Sequence, residues 1–211
     1  MFRFFSTLIV IISFNCIKLN EVIANPIAII ELLDANVDYM ANFYINYDKD
    51  SFYGSIIHTP GCEKRDFKVF TEQQILLLRR DIDQVAILWP DRKCYVKTKF
   101  SSLINIISGF SNIMINRTAE KKEKISGENT TRYRVSIKSA SGSCNFHGNM
   151  WFTNDNVLIK LAGKITIKNK QIPIETGIFN FLRVKTDSSV FELPHGYMHI
   201  PLDITKLFHL H

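Results

Sequence analysis

His58 and Cys62 flank one turn signal as H-x3-C, and Cys144 and His147 flank a second as C-x2-H. Two cysteines and two histidines complete a tetrahedral zinc site if the two turns meet in space. Each spacing is common by itself, so the four residues define no metal centre from sequence alone. A Cys–His dyad within "SGSCNFHG" is disfavoured, because residues three apart on a strand project from opposite faces. The chain has no G-x-S-x-G elbow. It has no H-E-x-x-H, calcium loop or Gly-rich phosphate loop either. No pair of carboxylates is distinguished by its setting. The residues therefore nominate no catalytic group, no metal site and no cofactor, and the chain is expected not to be an enzyme.

The elements around these residues begin with a targeting segment. "MFRFFSTLIVIISFNC" carries Arg3 and then an apolar run from Phe4 to Phe14, too short for the roughly 20 residues a bilayer span needs. Val22 and Ala24 in "EVIAN" are the small residues a signal peptidase reads, which predicts cleavage after Ala24 and export. Phe14 and Asn15 are poor residues to precede a lipidated Cys16. Residues 1–24 are thus a leader, and residues 25–211 form a single domain.

Hydrophobic content of 46% and charged content of 22% suit a globular core. The net charge of +6 is scattered through strand-like segments, which argues for solvated faces over a nucleic-acid surface. With Cys16 gone, Cys62, Cys94 and Cys144 remain, and three cysteines form at most one pair. "NRT" at Asn116 and "NTT" at Asn129 match the glycosylation pattern, which matters only in a eukaryotic secretory pathway.

"PIAIIELLDANVDYM" places Ile29, Ile30, Leu33 and Val37 at helical spacing after Pro26. From there the period becomes two: Tyr39, Ala41, Phe43, Ile45 and Tyr47 share one face, "DKD" turns the chain, and a second strand runs to "TPG". "KRDFKVF", "QQILLLRR", "QVAILW" and "CYVKTKF" follow too closely for crossover helices, so an antiparallel meander is expected. Cys62 and Cys94 then fall at opposite ends of the sheet. Strands of ~17–20 Å hold them beyond the ~7 Å reach of a disulfide.

"SSLINIISGFSNIMIN" breaks the rhythm, with Leu103, Ile106, Ile107, Phe110, Ile113 and Met114 at i, i+3, i+4, i+7 spacing, the pattern of a helix laid on the sheet. "AEKKEK" follows as a solvated charged segment. "TTRYRVSIKS", "GSCNFHGNMWFT", "NVLIKLAGKITIKN" and "QIPIETGIFNFLRVKT" then complete a sheet of about ten strands with two helices.

Several segments in this order resemble a family of exported bacterial proteins related to the LolA-like superfamily of outer-membrane lipoprotein carriers. They are "YGSIIHTPGCEKRDF", "QVAILWPDRKCYV", "EKISGENTTRYRVSI", "GNMWFTNDNVLIKLAG" and "VFELPHGYMHIP". The residues carrying the likeness are Pro60, Gly61, Lys64 and Arg65; Pro90 and Asp91; Gly127, Tyr133 and Val135; Trp151 and Thr153; and Phe191, Pro194, Gly196 and Tyr197.

The resemblance implies a mainly β (α+β) fold, a large curved antiparallel sheet forming an open half-barrel covered by short helices. It implies a periplasmic monomer that holds a lipid or lipoprotein acyl chain, with an envelope protein as a further partner and no nucleic acid. The apolar strand face (Tyr39, Phe43, Ile45) and the helix stripe (Ile106, Phe110, Met114) would wall that cavity. The alternative is a structural or interaction module of the envelope with a filled core. "SVFELPHGYMHIP" would close the domain, leaving 202–211 as a tail.

Overall fold

Period-two alternation governs the chain from Tyr39 onward and gathers its strands into one sheet. The computed structural model describes residues 22–24, 34–69, 71–102, 113–139, 144–167 and 170–201. The first strands are β1 Val22–Ala24, β2 Tyr39–Tyr47, β3 Asp50–Thr59, β4 Cys62–Val69, β5 Glu72–Arg79, β6 Gln84–Trp89 and β7 Cys94–Lys99. They are followed by β8 Ile113–Ile125, β9 Glu128–Ser139, β10 Cys144–Phe152, β11 Leu158–Ile167, β12 Lys170–Arg183 and β13 Met198–His199.

The thirteen strands lie in the order β1-β8-β9-β10-β11-β12-β2-β3-β4-β5-β6-β7-β13. Two antiparallel meanders, β2–β7 and β8–β12, meet at the β12–β2 seam, where Ile178 stands opposite Phe43 and Thr176 opposite Ile45. The sheet does not close, so the mainly β, open half-barrel expected from the sequence is the fold. Val22–Ala24, which the sequence places in the leader, pair with Ile113–Ile115 at the β8 end.

Turn chemistry sets the register. Pro60-Gly61 joins β3 to β4 with Gly61 at φ 86°, the left-handed position that a type II turn reserves for glycine. Ser126 and Gly127, at φ 49° and 86°, form the two-residue loop of the β8–β9 hairpin, whose paired positive φ angles match the twist of the strands. Short 3-10 turns at Arg80–Ile82 and Pro90–Arg92 end in left-handed Asp83 and Lys93 and return the chain into β6 and β7.

Three sequence expectations are corrected here. "AEKKEK" is solvent-facing as expected, but it belongs to a strand, the second half of β8, paired with β9 down to Ile125 opposite Glu128. Ile113 and Met114 stand in that strand too, so the helical stripe does not extend to them. Pairing with β9, Ile113 opposite Ser139 and Met114 opposite Lys138, outweighs the local helical spacing. Asp34–Asp38 carry bends and no helix, placing Val37 outside a helical turn. Most of both expected helices, including Ile29, Ile30, Leu33, Ile106 and Phe110, lies outside the described residues.

Cys62 stands opposite Thr59 and Arg79, whereas Cys94 stands opposite Trp89 at the far end of the sheet. Both are buried free thiols, as their predicted separation requires. Burial and a hydrogen bond to the Asp81 carboxylate push the Cys62 thiol up to about 11, which keeps it protonated and unreactive at neutral pH.

The C-terminal segment covers one edge. Asp187 caps a 3-10 turn, Ser188–Phe191, by accepting from the Ser189 amide at 2.9 Å. The turn packs on β4 and β5 and buries Phe191. Leu193 and Tyr197 then lie on Leu77, Ala86 and Leu88 of the outer sheet face, with Gly196 at φ 79° bending the chain between them. β13 joins β7 in parallel, Met198 and Ile200 donating to the carbonyls of Lys93 and Tyr95 at 2.9 and 2.8 Å. A sheet edge is thereby blunted by a two-residue strand. Tyr197→Ala should lower unfolding free energy by about 2 kcal/mol through lost apolar contact. Urea unfolding followed by circular dichroism checks this, and an unchanged midpoint would deny Tyr197 its anchoring role.

Candidate binding face

Each strand sends alternate residues to an inner and an outer face. The inner face takes Tyr39, Ala41, Phe43 and Ile45 from β2, then Ile56, Phe67, Leu76, Ile87 and Val96 across the first meander. The second meander adds Val135, Met150, Leu161 and Ile174. The result is one continuous apolar surface running across the seam. Tyr39, Phe43 and Ile45 all sit on it, as the period of β2 predicts, with Ile45 0% exposed and Phe43 2% exposed. Phe43 meets Phe67 edge-on at 6.3 Å between ring centroids. Ile106 and Phe110 lie outside the described residues, and Met114 stands in β8 opposite Lys138.

Charged groups missed by the sequence reading interrupt this surface at one end. His58, Glu63 and Arg65 occupy inner positions among Ile56, Phe67 and Leu78. Arg65 Nε donates to Glu63 Oε1 at 2.6 Å, His58 Nδ1 lies 3.5 Å from Glu63 Oε2, and Tyr39 stacks on His58 at 4.8 Å. Burial alone would raise the Glu63 pKa. The Arg65 guanidinium, with His58 and Arg80, outweighs it and holds this carboxyl well below the usual range. The signal was present in the sequence: alternation through "SIIHTPGCEKRDF" puts His58, Glu63 and Arg65 in phase with Ile56 and Phe67.

The strap Asp34–Asp38 binds over this cluster and ties the two meanders together. The Asp34 carboxylate pairs with Arg80, accepts from the Gly61 amide and lies 3.4 Å from His58 Nε2, which donates to the Ala35 carbonyl at 3.3 Å. Burial raises the Asp34 pKa despite Arg80 and His58. From the other meander, Asn156 Nδ2 donates to the Asp34 carbonyl, and Asn36 N donates to Asp155 O at 3.1 Å. Asp38 accepts from Thr59 Oγ1 and from the Thr186 amide. The strap thus joins the β3–β4, β5–β6 and β10–β11 turns at one end of the half-barrel.

On the second meander, Arg117 lays its guanidinium 3.2 Å from the centroid of the Tyr133 ring and 5.1 Å from that of Phe152. Burial lowers its pKa. His147 is paired with Ser136 and Lys164 on β10, and β11, β12 and β2 separate it from the strand of His58, so the two Cys/His turns do not meet. Among the described residues no group of His, Cys, Asp and Glu is placed to hold a metal ion.

The chain is thus an open, mainly antiparallel half-barrel with an apolar inner face. No protein-family model and no curated protein matches the chain. Among solved structures it is similar to an uncharacterized conserved protein from Thermus thermophilus, at 8% identity and TM-score 0.55, over 79% of this chain and 91% of that one. MucB is similar at 6% identity and TM-score 0.47, over 77% of this chain and 59% of MucB. A putative outer membrane lipoprotein-sorting protein domain from Vibrio parahaemolyticus gives 9% identity and TM-score 0.34, over 74% and 89%. These likenesses concern the fold alone.

Proposed function

We propose that this protein is a non-enzymatic periplasmic binding protein that holds a lipid or lipoprotein acyl chain against the inner face of the half-barrel, in envelope lipid or lipoprotein trafficking. One observation carries the reading: apart from the ion cluster at one end and Arg117, the inner face is apolar across both meanders of a sheet that stays open. Concave apolar surfaces with few polar groups are the usual seats of lipophilic ligands. Tyr39, Phe43 and Ile45 form the wall at the seam. The strap and its ion cluster stand at one end, where the charges are matched by one another and leave the apolar centre to the chain of the ligand. No helix among the described residues is long and apolar enough to cross a membrane.

A second reading draws on the burial of the same face. Ile45, Leu76 and Leu161 are wholly buried, which favours a filled core and an interaction module that recognises an envelope protein by its outer surface. Organic extraction of protein purified from its own envelope, followed by mass spectrometry, separates the two. The binding reading expects a lipid or acyl species in stoichiometric amount. Its absence, together with one co-purifying protein in fixed ratio, would replace the first reading by the second.

A further inference from the structure

Lysines and arginines that look scattered in sequence are sorted by the sheet. In-phase residues of β4, β7, β9 and β11 place Lys64, Lys68, Lys97 and Lys99 of one meander, and Arg134, Lys138 and Lys164 of the other, on the outer face. The inner face keeps Arg65 and Arg117. The outer carboxylates are occupied: Glu120 by Arg132 and Arg134, Glu123 by Lys121 and Trp151, Glu175 by Lys160 and Tyr44, Asp66 by Gln73. Lys64, Lys68, Lys97, Lys99 and Lys138 form no ion pair with a carboxylate among the described residues.

Between these two flanks, the outer face of β12, β2 and β3 carries exposed apolar groups and one carboxylate, Glu175, which is paired with Lys160 of β11. Met40 stands opposite Leu182 on β12 and Ile57 on β3, and Tyr53 opposite Tyr44. Leu182 is 66% exposed, Tyr53 62% and Met40 43%. A bulge builds this patch. Residues three apart on a regular strand point to opposite faces, yet Phe179 and Leu182 pair with Asn42 and Met40, both outer positions. The extra residue is absorbed at Asn180, whose φ of 51° is uncommon for a side chain other than glycine. A regular β12 would have turned one of the two apolar side chains inward.

Exposed Met, Leu, Phe and Tyr, with Lys64, Lys68, Lys97 and Lys99 to one side and Lys138 to the other free of carboxylate partners, match the surface of an anionic bilayer. The apolar groups reach the headgroup boundary, and the flexible lysine stems bring their charges to the lipid phosphates. We infer that the outer face of the half-barrel docks on an anionic lipid surface. This goes beyond the inner-face reading and does not depend on it, since the two faces are separate.

The test is co-sedimentation of the full chain with vesicles of phosphatidylcholine, with and without phosphatidylglycerol, over a salt series. Binding is expected only with the anionic lipid and should weaken as salt rises. Lys64→Glu and Lys68→Glu should each weaken it by at least about fivefold. Met40→Asp with Leu182→Asp should remove most of it. All four positions lie on the outer face, so circular dichroism and the unfolding midpoint should stay at wild-type values. Absence of binding, equal binding to both vesicle types, or wild-type binding by the folded variants would each overturn the proposal. So would a patch captured by a protein partner while vesicles leave it free.

Discussion

Glu63→Ala is expected to cost about 3–5 kcal/mol of unfolding free energy, because it removes from inside the sheet the carboxylate that pairs with the buried Arg65 guanidinium at 2.6 Å. The loss comes from uncompensated charge more than from the missing pair itself. Replacing Glu63 and Arg65 together with Leu and Met should therefore restore much of the lost stability, whereas Glu63→Ala alone should not. Urea unfolding of the three proteins measures both effects. Equal midpoints for wild type and Glu63→Ala would show that the cluster is solvated and energetically idle.

The same residue sets the acid limb of stability. Its pKa in the fold lies below the unfolded value of about 4.3. Its contribution is therefore complete above that range and fades as pH falls through about 5 and below. Asp34 runs the other way: its pKa is raised in the fold, so the cost of its charge is relieved on acidification and partly offsets the loss. Glu63→Gln removes the first effect and lessens the second, because the Glu63 charge helps to raise Asp34. Its stability should consequently vary less than that of the wild type between about pH 5 and pH 3.

The strands were legible because alternation and turn chemistry agree along most of the chain. Gln84–Trp89 coincides with "QVAILW", and Pro60-Gly61 marks the β3–β4 turn at the predicted place. The seam between β12 and β2 was not legible, since it joins residues far apart in the chain and no local pattern records it. The segment "AEKKEK" misled for a related reason. Its charges are those of a loop, yet β9 supplies a partner along the strand, and Glu120 and Glu123 find Arg132 across it. Composition reports solvent exposure, and an exposed strand face is as charged as a loop.

The candidate site divides in the same way. Tyr39, Phe43 and Ile45 share a face by a period of two, which sequence alone can count. The strap that ties Asp34 to Arg80 and Asn156 depends on turns from both meanders arriving at one end. Such a meeting is a property of strand order. The outer lysines belong to both cases: their phase is countable strand by strand, but their arrangement to either side of the seam needs the sheet order.

Gly148→Val should destabilise the protein by roughly 3 kcal/mol or more, against what strand propensity alone suggests. Valine favours strands and glycine weakens them, so a strand-propensity argument expects a gain at this position. The packing reverses the sign. Gly148 stands opposite Gly163 on β11, with the Phe146 ring laid across both. A Cβ at position 148 would collide with the Ala162 carbonyl oxygen and come within 2.7 Å of the Gly163 Cα. Both of those neighbours are backbone, so the strands themselves must part. Gly177 provides the comparison: its nearest neighbours are atoms of the Tyr44 ring at 2.8–2.9 Å, a side chain that can swing aside. Gly177→Ala should therefore cost markedly less than Gly148→Val in urea unfolding. Hydrogen exchange should localise the Gly148→Val damage to β10 and β11. If valine at 148 proved neutral or stabilising, the close approach of β10 and β11 under Phe146 would be refuted, and with it the aromatic-over-glycine contact that shapes the inner face of the second meander.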